Sequence, residues 1–233
     1  MRVFAIAALV LFTITINGIA QEVIPLNNTG AKKITDAASY GIGFDIGSNV
    51  SQGGLTADVV TQSDFLAGFM DALNGKDPAV AANEIQVAME ALGKKIQAKT
   101  AEASKVNLAK SNKFLDDNKK RQGVQTTASG LQYEVIKTGA GAVPTAANTV
   151  TVHYEGKLTG GKVFDSSIKR GEPASFGVGQ VIPGWTEALQ RMKVGDKWRL
   201  FIPPNLAYGE KGAGADIGPN EALVFEVELL EVK

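Results

Sequence analysis

The chain has 233 residues, 44% of them hydrophobic, with 24 Lys+Arg against 24 Asp+Glu: room for two modest domains, and no bulk charge to draw it to nucleic acid or anionic lipid. It has no cysteine and one histidine, His153, which excludes disulfides, thiolate metal sites, a cysteine nucleophile, a lipid-bearing amino-terminal cysteine and a histidine-rich metal centre. Its chemistry must therefore run without a metal or the usual nucleophile–base pair, unless carboxylates alone serve, and no cofactor is expected.

In chain order, the first segment reads as a secretion signal. Arg2 is a minimal basic region, Val3 to Ile16 is an uncharged apolar run, and Gly18-Ile19-Ala20 supplies the small residues a signal peptidase reads. The rival reading is an uncleaved membrane anchor. A span needs roughly 20 apolar residues, and Thr13, Thr15 and Asn17 weaken a run that is already short. Cleavage after Ala20 leaves a mature chain from Gln21, exported to the periplasm or outer cell surface, with no stable membrane insertion.

Asn27 to Lys32 is a polar leader. From Ile34 to Val50, apolar residues recur every fourth position (Ile34, Ala38, Ile42, Ile46, Val50), as one helical stripe does. Gly41, Gly43 and Gly47 lower its intrinsic stability, so this helix needs packing partners. After Gly53-Gly54, a second short helix from about Ser63 carries Phe65, Leu66, Phe69 and Leu73 and stops at Asn74-Gly75. Pro78 opens a stretch without proline until Pro144, rich in Ala, Lys, Glu and Gln, which reads as one helix from about Ala79 to Lys120. The alternative is a folded-back pair broken at Gly93 or near Asn107, but no turn cluster interrupts the run. Ile85, Met89, Leu92 and Ile96 form a stripe in the first half that thins beyond Ile96, so this helix is expected to pack at one end and protrude as a stalk at the other. Three apolar stripes on so few elements also make pairing with a second copy plausible.

Beyond Gly123 the period becomes two: Val150, Val152 and Tyr154 alternate with polar residues, Trp198 to Ile202 is a compact apolar run, and Leu223, Phe225, Val227 and Leu229 alternate again. Between these strands Pro183 suits a helix start, with Trp185, Leu189 and Met192 on one side. Aromatic rings keep recurring beside turn residues, at Tyr154, Phe164, Trp185 and Tyr208. That pattern suits a lined pocket, but on spacing alone an ordinary aromatic core is the better reading.

The segment from about Thr127 to Lys233 resembles an FKBP-type peptidyl-prolyl cis–trans isomerase domain. The carrying residues are Val152-His153-Tyr154-Glu155-Gly156, Gly161-Lys162-Val163-Phe164-Asp165-Ser166-Ser167, Val181-Ile182-Pro183-Gly184-Trp185, Gly195-Asp196, Leu206-Ala207-Tyr208-Gly209 and Leu223 to Leu229. More loosely, Ser39-Tyr40-Gly41-Ile42-Gly43, Phe65-Leu66-Ala67-Gly68-Phe69 with Leu73, and Ser129-Gly130-Leu131-Gln132-Tyr133 resemble the amino-terminal dimerisation region of two-domain bacterial members, the macrophage infectivity potentiator group.

The resemblance implies an α+β fold: an all-helical dimerisation region with a long stalk helix, then a curved antiparallel sheet wrapped around a short helix. The expected divisions are a signal peptide 1–20, a helical region 21–122 and an isomerase domain 123–233. It also implies a pocket with Trp185 as floor and Tyr154, Phe164, Val181, Ile182 and Phe225 as walls. The Ile182 backbone N–H and the Tyr208 hydroxyl would each hold a substrate carbonyl. Asp165, held by Tyr154 and Arg170, would face the rotating amide, although an Asp before Ser-Ser is also a common turn-former. His153 should point to the other side of its strand.

The family often has an aromatic at the position of Ala174 and an apolar residue near Asp216. This chain has Ala174 and Asp216 at those two positions, and three glycines precede Asp216, so the rim should be smaller and more polar. The implied function is an exported, homodimeric prolyl isomerase that assists folding, with proline-containing unfolded chains as substrates and macrolide inhibitors as candidate ligands. The alternatives are a holdase-type chaperone with little turnover and, more weakly, a structural or adhesive surface protein.

Overall fold

The computed structural model describes residues 13–16, 19–22, 34–52 and 54–233. Of the expected leader, only the antiparallel strands β1 (Thr13–Ile16) and β2 (Ile19–Glu22) fall within these residues, Thr13 opposite Glu22; the rest of 1–20 and the polar leader Asn27–Lys32 lie outside them. Two compact units result, Met1–Asp45 and Ile46–Lys233.

Helix α1 (Ala37–Gln52) starts three residues later than Ile34 suggests, because Asp36 caps it: the Asp36 carboxylate accepts from the Ala38 N–H at 3.0 Å and the Ser39 N–H at 3.3 Å. Tyr40, Ile42 and Phe44 stand exposed on it. Helix α2 (Gln62–Leu73) ends where expected, at Asn74, with Gly75 at φ 65°.

Helix α3 (Ala82–Asn118) is a single rod of 37 residues, about 55 Å long at 1.5 Å per residue. Its packing follows the apolar pattern only in part, Leu92 and Ile96 being half-buried. Ile85, Val87 and Met89 of the first half are exposed, whereas the polar-looking last turns dock, burying Ser111, Leu115 and Asn118. Phe114 and Leu115 cluster there with Phe201, Ala222, Val124 and Val224. The loop before α2 meets the middle of α3 through a Lys99–Asp58 ion pair of 2.7 Å and close approach of Gly54 to Ile96.

The remaining strands form one antiparallel sheet: β3 (Val124–Thr126), β4 (Gln132–Lys137), β5 (Thr149–Leu158), β6 (Val163–Ser166), β7 (Ala174–Gly177), β8 (Lys197–Ile202) and β9 (Leu223–Val232), in the order β3-β4-β8-β9-β5-β6, with β7 pairing the first half of β5. The last strand thus lies centrally, between β8 and β5. The short helix α4 (Ser167–Arg170) separates β6 from β7, and helix α5 (Pro183–Leu189) starts at Pro183 as expected. Inward residues of β5, β8 and β9 (Val150, Val152, Leu200, Ile202, Leu223, Val227, Leu229) close on Trp185, Ala188, Leu189 and Met192 to form the main core. Strands β3, β4, β6 and β7 are too short or too polar to announce themselves by alternation.

Candidate active site

One end of this core does not close. The alternation of β5 aims Tyr154 and Gly156 inward, β6 contributes Phe164 and Asp165, β7 contributes Phe176, and β9 contributes Phe225. The turn before α5 adds Gln180, Val181 and Ile182, the first turn of α5 adds Trp185, and Tyr208 follows the short turn Pro204–Leu206. Together they line a cavity of about 310 Å³.

Two glycines make this closeness sterically possible. A Cβ on Gly156 would stand 2.6 Å from the Phe225 ring and 2.8 Å from that of Phe164, so the inward-facing β5 position must lack a side chain for these rings to meet. A Cβ on Gly184 would lie 2.5 Å from Ile202, so the start of α5 reaches the sheet only as glycine. That approach seats Trp185, which is 4% exposed. Tyr154 and Phe225, each 5.3 Å from the indole, and Phe176, 5.8 Å from it, all stand within 6° of perpendicular to its plane. Three upright rings around one flat ring make walls and a floor, in the edge-to-face arrangement aromatic quadrupoles favour.

Polar groups gather on one side. The Tyr154 hydroxyl donates to Asp165 Oδ2 at 2.5 Å, Arg170 donates from Nη1 to Asp165 Oδ1 and from Nη2 to the Tyr154 oxygen at 2.9 Å, and the guanidinium lies 5.6 Å above the Tyr154 ring. Helix α4 sets this up: Ser166 caps it by accepting from the Lys169 N–H at 3.2 Å, and Gly171 ends it at φ 81°, turning Arg170 back toward Asp165. Burial pushes the Asp165 carboxyl up, but the bonds from Tyr154 and Arg170 and the Arg170 charge outweigh it, leaving its pKa below the ordinary value. Burial, then Asp165, raises Tyr154; burial and the Asp165 charge raise Tyr208, so both phenols stay protonated donors. Ile182 caps α5, its carbonyl accepting from Trp185 and Thr186, so its own N–H lies outside the helical ladder.

All eight residues singled out from sequence therefore lie around one cavity. Phe176 and Gln180 join them unannounced. Phe176 sits two residues beyond Ala174 on the same face of β7, the only sequence signal for it, and brings an aromatic ring to a wall where Ala174 supplies none. His153 points away, its Nδ1 3.2 Å from Ser167 Oγ, which also bonds the Tyr154 backbone. Asp216 lies outside the lining and pairs with Lys162 at 2.7 Å. Among the described residues no cluster of three or more His, Asp or Glu is placed to hold a metal, and no helix is long and apolar enough to cross a membrane.

Comparison with known proteins matches residues 141–230 to the FKBP-type peptidyl-prolyl cis-trans isomerase family and residues 35–135 to the domain amino terminal to it. The chain is 49% identical over 195 residues to an FKBP-type 22 kDa peptidyl-prolyl cis-trans isomerase of Escherichia coli, covering 84% of this chain and 94% of that protein. It is 42% identical over 231 residues to the outer membrane protein MIP of Legionella longbeachae, covering 96% and 97%. The crystal structure of FkpA from Escherichia coli superposes with a TM-score of 0.62 at 37% identity, covering 87% of this chain and 99% of that one.

Proposed function

This chain belongs to the FKBP-type peptidyl-prolyl cis–trans isomerases and is an enzyme of that class, and we propose that it turns its substrate in the aromatic cavity between β5, β6, β7, α5 and β9. Rotation about an X–Pro bond is slow because amide resonance must break, with a barrier near 18–20 kcal/mol and uncatalysed exchange in roughly 10–100 s. No covalent step is needed to lower it. In the twisted amide the carbonyl and nitrogen lose conjugation and charge separation falls, so a dry apolar cavity favours the twisted state over the planar one.

In this reading the proline ring rests on the Trp185 indole, walled by Tyr154, Phe164, Val181, Ile182 and Phe225, with Phe176 completing the box. The Ile182 N–H and the Tyr208 hydroxyl hold substrate carbonyls on either side. Asp165, kept ionised and fixed by Tyr154 and Arg170, faces the rotating amide. The same box admits macrolide inhibitors, with a rim lacking an aromatic at Ala174. The observation that carries the assignment is the buried indole with three perpendicular rings around it and a single fixed carboxylate at the edge. Holdase action without turnover is not favoured, since relatives matched over most of their length are named isomerases.

The test is isomerisation of a short proline peptide by the purified chain beside Trp185→Ala and Asp165→Ala. Acceleration lost with the floor tryptophan supports the assignment. Full activity in Trp185→Ala moves the site elsewhere.

We extend the proposal to the rest of the chain: a leader 1–20 removed on export to the periplasm or outer cell surface, a helical region 21–122 that pairs two copies, and a catalytic domain 123–233. Sheet pairing that begins at Val124 supports the last boundary. Arg2, the uncharged run and Gly18-Ile19-Ala20 support export, as does a full-length relative named for the outer membrane. Pairing accounts for Phe65, Leu66, Met70 and Leu73 of α2 standing exposed beside an apolar groove of about 340 Å³ lined by Val50, Leu55, Val60 and Phe65.

A further inference from the structure

Helix α3 meets the catalytic domain partly through polar side chains aimed at one short segment. Ser104, Asn107 and Ser111 follow one another at spacings of three and four, on one helical face. Ser104 Oγ accepts from Asn220 Nδ2 at 2.8 Å, Asn107 Nδ2 donates to the Pro219 carbonyl at 3.0 Å, and Ser111 Oγ donates to the Asn220 carbonyl at 2.9 Å while accepting from the Ala222 N–H at 2.8 Å. Ser111 is 3% and Asn220 8% exposed, so water does not compete freely for these bonds.

Asn220 is also the only non-glycine among the described residues with positive φ, at 55°. Asparagine tolerates that conformation better than other residues with a side chain, and here the side chain is also bonded, to Ser104. The Asn220 N–H points the other way and donates to the Gly209 carbonyl at 2.8 Å. Gly209 directly follows Tyr208, which is 40% exposed at the cavity mouth. One residue thus ties the stalk helix to the backbone that carries the rim phenol.

We propose that Asn220 is a positioning residue: anchored by Ser104 and Ser111 of α3, it fixes Gly209 and so holds the Tyr208 hydroxyl over the cavity. Its effect on rate rests on the reading of Tyr208 as a holder of the substrate carbonyl; the positioning itself does not. The polar face of α3 is then part of the catalytic apparatus, acting through Asn220.

The test uses the purified full chain labelled with 3-fluorotyrosine, whose four tyrosines give four fluorine signals, that of Tyr208 identified by Tyr208→Phe. Asn220→Gly keeps the left-handed backbone and the bond to Gly209 but loses the side chain; Ser104→Ala loses only the acceptor. Each is expected to shift or broaden the Tyr208 signal and leave that of Tyr133 in place. Each should lower kcat/KM about threefold to tenfold, the double variant no further than either single one, with no effect in the Tyr208→Phe background. An unmoved Tyr208 signal overturns the proposal, as does an equal loss of activity in the Tyr208→Phe background. A moved signal with unchanged kcat/KM overturns it too when Tyr208→Phe itself is impaired. If Tyr208→Phe costs no activity, the carbonyl-holding reading falls and the fluorine signal alone decides the positioning.

Discussion

Asp165 sits between opposed influences: burial favours its neutral form, while Tyr154 and Arg170 favour its charged form and prevail. Because the folded-state pKa is depressed, the stabilisation of the carboxylate is fully present above the unfolded value, near 3.9. It is lost only as pH falls through the lower folded value. The two phenols at the cavity have raised values, so they do not ionise near neutrality. Isomerase activity is therefore expected to be level from about pH 5 to pH 9 and to fall only below the ordinary carboxylate range, which stopped-flow assays across buffers would check; a step near pH 6 or 7 would bring in a group outside the cavity. Arg170→Ala should move the acid limb upward, because the guanidinium that holds Asp165 ionised is gone. At Gly156, alanine would place its Cβ inside the van der Waals radius of two rings. Overpacking of that kind costs about 1–3 kcal/mol, measurable by urea unfolding, and should lower activity along with stability by splaying Phe164 from Phe225.

Among the elements, the long central strands and α5 were readable because burial on one face imposes a period of two or four that survives in the residues: Val150, Val152 and Tyr154 on β5, Leu223, Phe225, Val227 and Leu229 on β9, Trp185 and Leu189 on α5. The eight cavity residues were readable for a different reason: each lies in a motif that resembles the FKBP-type domain, and the pattern of rings and turns alone did not separate a pocket from a core. Phe176 was not, because β7 has four residues and its partner on that face is an alanine. The docking of α3 was also illegible. It depends on hydrogen bonds across more than 100 residues from Asn107 and Ser111, and on Asn118 donating to Gln132 at 2.8 Å while Gln132 donates to the Leu115 carbonyl at 3.0 Å. Such bonds leave no apolar stripe, so the helix looked loosest at the end that is held. Leu115 is the apolar centre of that contact, and truncating it to alanine should cost about 2 kcal/mol in chemical unfolding, with the denaturation midpoint lowered and the slope unchanged.

At the scale of the whole molecule, the apolar surface left over on the helices has to be accounted for. Leu66, Met70 and Leu73 of α2 and Val87 and Met89 of α3 all stand exposed, and apolar surface of this kind, where contiguous, marks contact sites. Pairing of two copies would cover them and give one assembly two cavities. For a peptide too short to reach both, the second cavity adds nothing beyond its own turnover. For an unfolded protein bound at one cavity, the second encounter becomes intramolecular, and linked sites of this kind can strengthen binding by about 10²–10⁴ when the geometry permits. Leu66→Glu places a charge in the proposed contact, away from the cavity. It should sediment as a monomer and isomerise a short proline peptide at the unaltered rate per chain. Its efficiency on a proline-limited refolding protein should fall about tenfold or more. Equal loss on peptide and protein would mean that the substitution damages the fold, and an unchanged sedimentation coefficient would place the contact between copies elsewhere.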